Sequence, residues 1–293
     1  MITVAQITEP RFTLAEGPVW DPFRRRLLWV DILEGVVLVG RLEGEQLNIE
    51  TQHHFTSSVG ATAVAEDGSI LVAETRALTR IAPGGDRTST GRIDALGRDD
   101  RLNDGVCDAR GRFLVGTLSL AGTHHSQRLL RVGPETMTVL DDDLGLSNGL
   151  AFSPDGAILY SVDSVPGRVW RRDYDQDTGF TGSRELLIDL HDCTPDGLAV
   201  DASGHLWLAI WGRGQVRCYS ADGELIDTLE VPAPHTSSLA FVGDDLDQLV
   251  ITTARTELTD AQLAEFPLSG SLFLAEPDCA GLATFPWSGH LVH

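Results

Sequence analysis

The sequence predicts an all-β chain: a six-bladed β-propeller with a central channel, occupying residues 1–293 as a single domain. Three observations lead there. A short frame recurs along the chain, as "EGPVWDPFRRRLLWVD", "ATAVAEDGSILVAE", "NDGVCDARGRFLVGT", "NGLAFSPDGAILYSVD", "DGLAVDASGHLWLAI" and "SSLAFVGDDLDQLVITT". With Gly17, Thr62, Gly105, Gly149, Gly197 and Ser238 as anchors, the gaps are 45, 43, 44, 48 and 41 residues, the period of a four-stranded propeller blade. The strands alternating with long helices that a parallel α/β sheet requires are missing.

Within each unit the chemistry is that of antiparallel strands. An apolar run carries the anchor, a turn at Asp-Gly or its equivalent follows, and a second run such as "SILVAE", "RFLVGT", "AILYSVD" or "HLWLAI" comes next. These runs are rich in β-branched, aromatic and aliphatic residues that suit a half-buried pleated surface. The turns "EDGS", "PDGA" and "ASGH" place Gly where a positive φ is required. One helical insertion is predicted over "ELTDAQLAEFP" (Glu257 to Pro267), with Leu258, Leu263 and Phe266 on its apolar side and Pro267 as its stop. Trp207 and Trp211 read as core or inter-blade packing, and Phe285 as core or exposed.

Composition narrows the function. There are 43 acidic and 22 basic residues, for a formal charge of -21. Such a surface repels phosphate backbones and anionic lipid, which argues against nucleic-acid and membrane partners. No apolar run is long enough to span a bilayer. The N-terminus lacks a basic stretch followed by an apolar segment, so a cytoplasmic location is expected. Cys107, Cys193, Cys218 and Cys279 lie far apart with no CxxC pair, the pattern of reduced thiols. The chain is expected to be a monomer or a weak homo-oligomer.

In a propeller, the innermost strands surround the channel, so equivalent positions of every unit meet at one end of it. The residues just before the anchors are Glu16, Ala61, Asp104, Asn148, Asp196 and Ser237. Four are strong oxygen donors, and three of those are carboxylates. Carboxylates converging in a confined space repel one another unless protonated or compensated, and a hard divalent cation is the natural compensation. Capping of turns by Asp and Asn is the alternative for any one position.

The motifs "AEGPVWD", "RLNDGVCDARGRFLVGT", "SNGLAFSPDGAILYSVDS", "TPDGLAVDASGHLWLAIWG" and "TSSLAFVGDDLDQLVITTAR" resemble the SMP-30/gluconolactonase/luciferin-regenerating enzyme family, in order and over nearly the whole chain. The resemblance implies a six-bladed propeller with one catalytic divalent cation in the channel, and a last blade closed with help from the N-terminal strand, here "ITVAQI". It puts the metal ligands at Glu16, Asn148 and Asp196, and substrate-binding residues at Arg101 and Asn103. Asp104 is then a supporting residue of the inner ring. The cation (calcium, zinc, manganese, magnesium or iron(II)) is left open.

The implied activity is opening of an aldonolactone to its sugar acid, with Asp196 as the catalytic carboxylate that positions water or takes its proton. No GxSxG elbow is present to supply a serine nucleophile. The chain departs from many sugar-lactone members after "GT": Leu118 replaces a Met, and Leu120 stands where some relatives carry a substrate-facing acid, which points to a less hydroxylated lactone. The pairs His53–His54 and His124–His125 read as exposed. Two other readings stay open: a hydrolase of other esters or phosphotriesters on the same cation, and a non-catalytic cation-binding propeller.

Overall fold

The computed structural model describes residues 2–9, 11–90, 92–122, 125–133 and 136–291. Among them the strands form six four-stranded antiparallel sheets, and the all-β, six-bladed propeller expected from the repeat is the fold observed. The innermost strands are Ala15–Asp21, Val59–Val64, Asp100–Cys107, Ser147–Phe152, Thr194–Val200 and Thr236–Val242. Each packs against the next, and the last packs against the first, closing the ring. The sixth sheet takes its outer strand from the opposite end of the chain. Val4–Gln6 pairs antiparallel with Leu272–Ala275, so N- and C-terminal segments are stitched into one blade by backbone hydrogen bonds.

The apolar core lies between neighbouring sheets, because each blade buries both faces against its neighbours. Trp207 of the fifth blade meets Phe241 of the sixth edge to face, with ring centroids 6.0 Å apart. Phe152 meets Tyr174 in the same way at 4.9 Å. Trp207 is core, as expected. Trp211 packs between blades: half-buried at the end of its strand, it stacks on His235 at the entrance to the sixth blade, with ring centroids 4.1 Å apart. Phe285 is half-buried against Phe152. The helical insertion is shorter than expected, Asp260–Glu265. Thr259 and Gln262 form a capping box at its start. Leu258, Leu263 and Phe266 are its half-buried side and nothing in it is fully buried. All four cysteines are free, and among the described residues no helix is long and apolar enough to cross a membrane.

All six innermost strands carry a register irregularity near their first residues: between Glu16 and Val19, Val59 and Ala61, Leu102 and Gly105, Ser147 and Leu150, Pro195 and Leu198, and Thr236 and Ser238. A bulge bends the strand and re-aims one side chain. In the third to sixth blades the irregularity spans the residue before the anchor, Asp104, Asn148, Asp196 and Ser237. Gly149 sits where neighbouring strands come close. A Cβ on Gly149 would lie 2.5 Å from the Asp196 carbonyl oxygen and 2.6 Å from the Leu198 nitrogen, and backbone cannot yield to it. Gly149→Ala is therefore expected to cost about 1–3 kcal/mol, read as a lowered denaturation midpoint, and to displace both Asn148 and Asp196.

The other end of the channel is closed by the C-terminal segment. It bridges to Asp201 through Gly281, donates from the Gly281 N–H to the Leu246 carbonyl, and reaches Trp20 through Thr284. It then pairs at Val64 through Trp287 and at Gly111 through Ser288. A cavity of ≈ 240 Å³ lies above it, lined by Val19, Val106, Ala151 and Leu239 and reaching up to Asp104.

Candidate active site

Linkers entering the first and fourth blades are held by buried carboxylates. Asp31 accepts from the backbone of Thr13 at 2.9 Å and Leu14 at 3.0 Å. Asp163 accepts from Gly145 and Leu146, each at 3.0 Å. These brackets fix the chain immediately before Glu16 and Asn148. The sequence reading did not assign them. The signal was there, in the matched "WVD" and "SVD" that end the second strand of both units.

Glu16, Arg101, Asn103, Asn148 and Asp196 are all more than nine-tenths buried, while Asp104 is half-buried and faces the cavity. A directional chain of hydrogen bonds links four of them. Arg101 Nη1 donates to Asn103 Oδ1 at 2.8 Å. Asn103 Nδ2 donates to Asn148 Oδ1 at 3.2 Å and to the Ser147 carbonyl at 3.0 Å. Asn148 Nδ2 donates to Asp196 Oδ1 and, at 3.1 Å, to Ser164 Oγ. Ser164 is thus a member of the network that the sequence alone did not single out; it follows Asp163 at the end of the neighbouring strand. Glu16 and Asp104 each accept from the backbone of the following glycine, at 2.9 Å and 2.8 Å.

The electrostatics are those of three carboxylates that resist ionising together. Burial, then the Asp104 carboxylate, pushes Glu16 up to about 8. Burial pushes Asp104 up to about 6. Asp196 is raised well above the carboxylate range by burial, then by Glu16 and Asp104. Arg101 is lowered to about 10 by burial, against the pull of Glu16 and Asp196. Three carboxylates and one guanidinium leave two negative charges when all are ionised. With the Asn148 amide oxygen among them, this all-oxygen set matches in charge and hardness a divalent cation.

Other expected residues lie elsewhere. Ala61 and Ser237 occupy the remaining ring positions; Ser237 Oγ donates to the Ala15 carbonyl at 2.6 Å and so ties the sixth blade to the first. His53 and His54 are on the outermost strand Gln46–His54, far from the ring in blade order. His125 is exposed, and His124 lies outside the described residues. Leu118 pairs across the strand with Arg101, and Leu120 is 66% exposed.

The family model of the SMP-30/gluconolactonase/LRE-like region matches residues 14–255. The chain belongs to this family. It is 35% identical to the pentonolactonase of Haloferax volcanii, over 86% of each chain. It is 34% identical to the 6-deoxy-6-sulfogluconolactonase of Pseudomonas putida, covering 92% of this chain and 93% of that one. The solved structure of a calcium-binding protein, regucalcin, from Agrobacterium tumefaciens superposes with a TM-score of 0.91 at 30% identity, covering 98% of this chain and 97% of the other. The family's members thus include proteins named for lactone hydrolysis and for calcium binding.

Proposed function

We propose that the chain is a lactonase that hydrolyses the internal ester of a sugar-derived lactone, with one divalent cation held by Glu16, Asn148 and Asp196. The observation that carries this is the convergence of those three residues with Arg101 and Asn103 at one end of the channel, in a family whose relatives at 34–35% identity are named lactonases. When bound, the cation would polarise the lactone carbonyl and stabilise negative charge on its oxygen.

The remaining work falls to the protein. Asn103 holds the Asn148 amide so that its oxygen is fixed by a second residue, and Arg101 holds Asn103 in turn. Such outer partners orient ligands and sharpen a site. The Asp196 carboxylate orients the attacking water; beside a dication its basicity falls, so positioning outweighs proton abstraction. Arg101, with a buried Nε that has no protein partner, offers a fixed fork of donors to the substrate's oxygens. Asp104 supports the ring as a third carboxylate.

The substrate class follows from the rim. Leu120 is an exposed aliphatic residue just past the Arg101-paired strand, at the position where the family resemblance leads one to expect a substrate-facing acid. A short or less hydroxylated lactone fits this better than a fully hydroxylated hexonolactone. A pH-drop assay over γ- and δ-aldonolactones of different lengths, before and after chelation, tests the whole reading. Ring opening that chelation abolishes and added cation restores is the expected result. The likeness to a calcium-binding protein, regucalcin, favours a second reading, cation binding without turnover; it predicts cation uptake and no acid release on any lactone.

Arg101→Ala is expected to raise KM by about 10–100-fold with a smaller fall in kcat, because the side chain binds substrate and does not form or break bonds. Arg101→Lys should not restore it, since an ammonium lacks the planar fork. Steady-state kinetics on the best lactone of the panel decide this; an unchanged KM removes Arg101 from substrate binding.

A further inference from the structure

The hairpin after each innermost strand repeats a second device, and the fifth blade departs from it. In the first and third blades a buried aspartate caps the turn with one oxygen and pairs with an arginine through the other. Asp21 Oδ1 accepts from the backbone of Phe23 at 3.0 Å, and Arg24 reaches Oδ2 at 3.1 Å. Asp108 Oδ1 accepts from the backbone of Arg110 and Arg112, and the Arg112 side chain meets Oδ2 at 2.5 Å. Asp201 is the equivalent residue in the fifth blade. It is completely buried, and its Oδ1 accepts from the backbone of Ser203 and His205 at 2.9 Å each. Where the third blade has Arg112, four residues on, the fifth has His205.

Among the described residues no arginine pairs with Asp201. Its Oδ2 accepts from Trp207 Nε1 at 3.0 Å and lies 3.1 Å from His205 Nδ1. The Cys218 thiol is within the same cluster, with the ligand atoms of Asp201, His205 and Cys218 all inside 4.8 Å of one another. Nearby on the C-terminal segment, burial and then the Asp201 carboxylate push the Cys279 thiol up to about 12. The counter-charge of the other two hairpins is thus replaced by an imidazole and a thiol around a carboxylate already oriented by two backbone N–H groups and an indole.

We propose that Asp201, His205 and Cys218 form a second metal site, a thiolate site for zinc(II), distinct from the all-oxygen ring. Carboxylate, imidazole and thiolates are the donors that zinc takes in a tetrahedral shell. Two ligands about 2.0–2.1 Å from one tetrahedral ion stand roughly 3.3 Å apart, near the 3.1 Å between Asp201 Oδ2 and His205 Nδ1. His205 is 38% exposed at its side chain, which gives the ion a way in. Binding releases a proton from the Cys218 thiol to solvent and from His205 Nδ1 where that nitrogen carries one.

Cobalt(II) added to the purified full chain reads the site directly, because thiolate-to-cobalt charge-transfer absorption cannot arise from an all-oxygen centre. The band is expected in the wild type and in Asp196→Asn. It is expected to vanish in Cys218→Ser and in His205→Arg, the latter rebuilding the third blade's carboxylate–guanidinium pair and so preserving the fold. Zinc(II) should raise the melting temperature of the wild type and leave that of His205→Arg unmoved. Absence of the band, or a band of equal strength in His205→Arg, would overturn the proposal, since the metal would then be elsewhere or nowhere.

Discussion

Asp196→Ala is expected to abolish cation-dependent lactone hydrolysis while leaving the propeller folded, and Asn148→Ala to do nearly the same. Asp196 contributes to three things at once: a ligand oxygen, the orientation of water, and the acceptor that fixes the Asn148 amide. Charge stabilisation by a bound cation is worth several kcal/mol in a reaction of this kind, and each 1.36 kcal/mol is a factor of ten in rate. A loss of about 10³-fold or more in kcat/KM is therefore expected for Asp196→Ala. The fold should survive because the residue sits on a bulge at the channel and not between sheets. Removing one of three mutually repelling buried carboxylates should even raise the melting temperature of the cation-free protein. Kinetics with and without chelator, together with thermal melts of the same samples, check both halves. Both variants turning over at the wild-type rate with the same cation dependence would refute the assignment.

A second large effect is expected in the pH dependence of the chelated protein. Glu16 is raised to about 8 and Asp104 to about 6, and Asp196 moves the same way. A carboxyl with a higher pKa in the folded chain than in the unfolded one holds a proton that unfolding releases. Between its two pKa values the folded state binds more protons, so stability falls as pH rises through that window. For Glu16 the window runs from the ordinary value of 4.5 to about 8. The chelated protein should therefore lose stability steadily from about pH 5 to about pH 8. Bound cation favours the ionised carboxylates, lowers their pKa values and removes this part of the slope. Asp31 and Asp163, also raised by burial, add a fall common to both states. The discriminating quantity is the gap in melting temperature between cation-loaded and chelated protein. It should widen with pH in the wild type and widen much less in Asp196→Ala. A gap of constant size would place the cation away from these carboxylates.

Much of this architecture is legible along the chain because a blade is a local object. Strand, turn and strand follow one another within a few tens of residues, so the period of the anchors and the alternation of apolar runs carry the number of blades and the innermost strand of each. Equivalence of position then nominates Glu16, Asp104, Asn148 and Asp196 as neighbours, since rotation about one axis superposes equivalent residues.

What the period cannot carry is the departure from equivalence. Ala61 and Ser237 share the ring position without offering a carboxylate or amide. The direction of the hydrogen-bond chain from Arg101 to Asp196, and the place of Ser164 beside it, depend on side chains from different blades meeting across a closed ring. The shift of Glu16 to about 8 exists only because closure buries it beside Asp104. The linear order of residues thus determined which oxygens are available and at what spacing. Only the tertiary structure decided how near they stand, which of them hold protons, and that Cys218 comes beside Asp201 and His205, because burial and charge repulsion are properties of distance in space and not of distance along the chain.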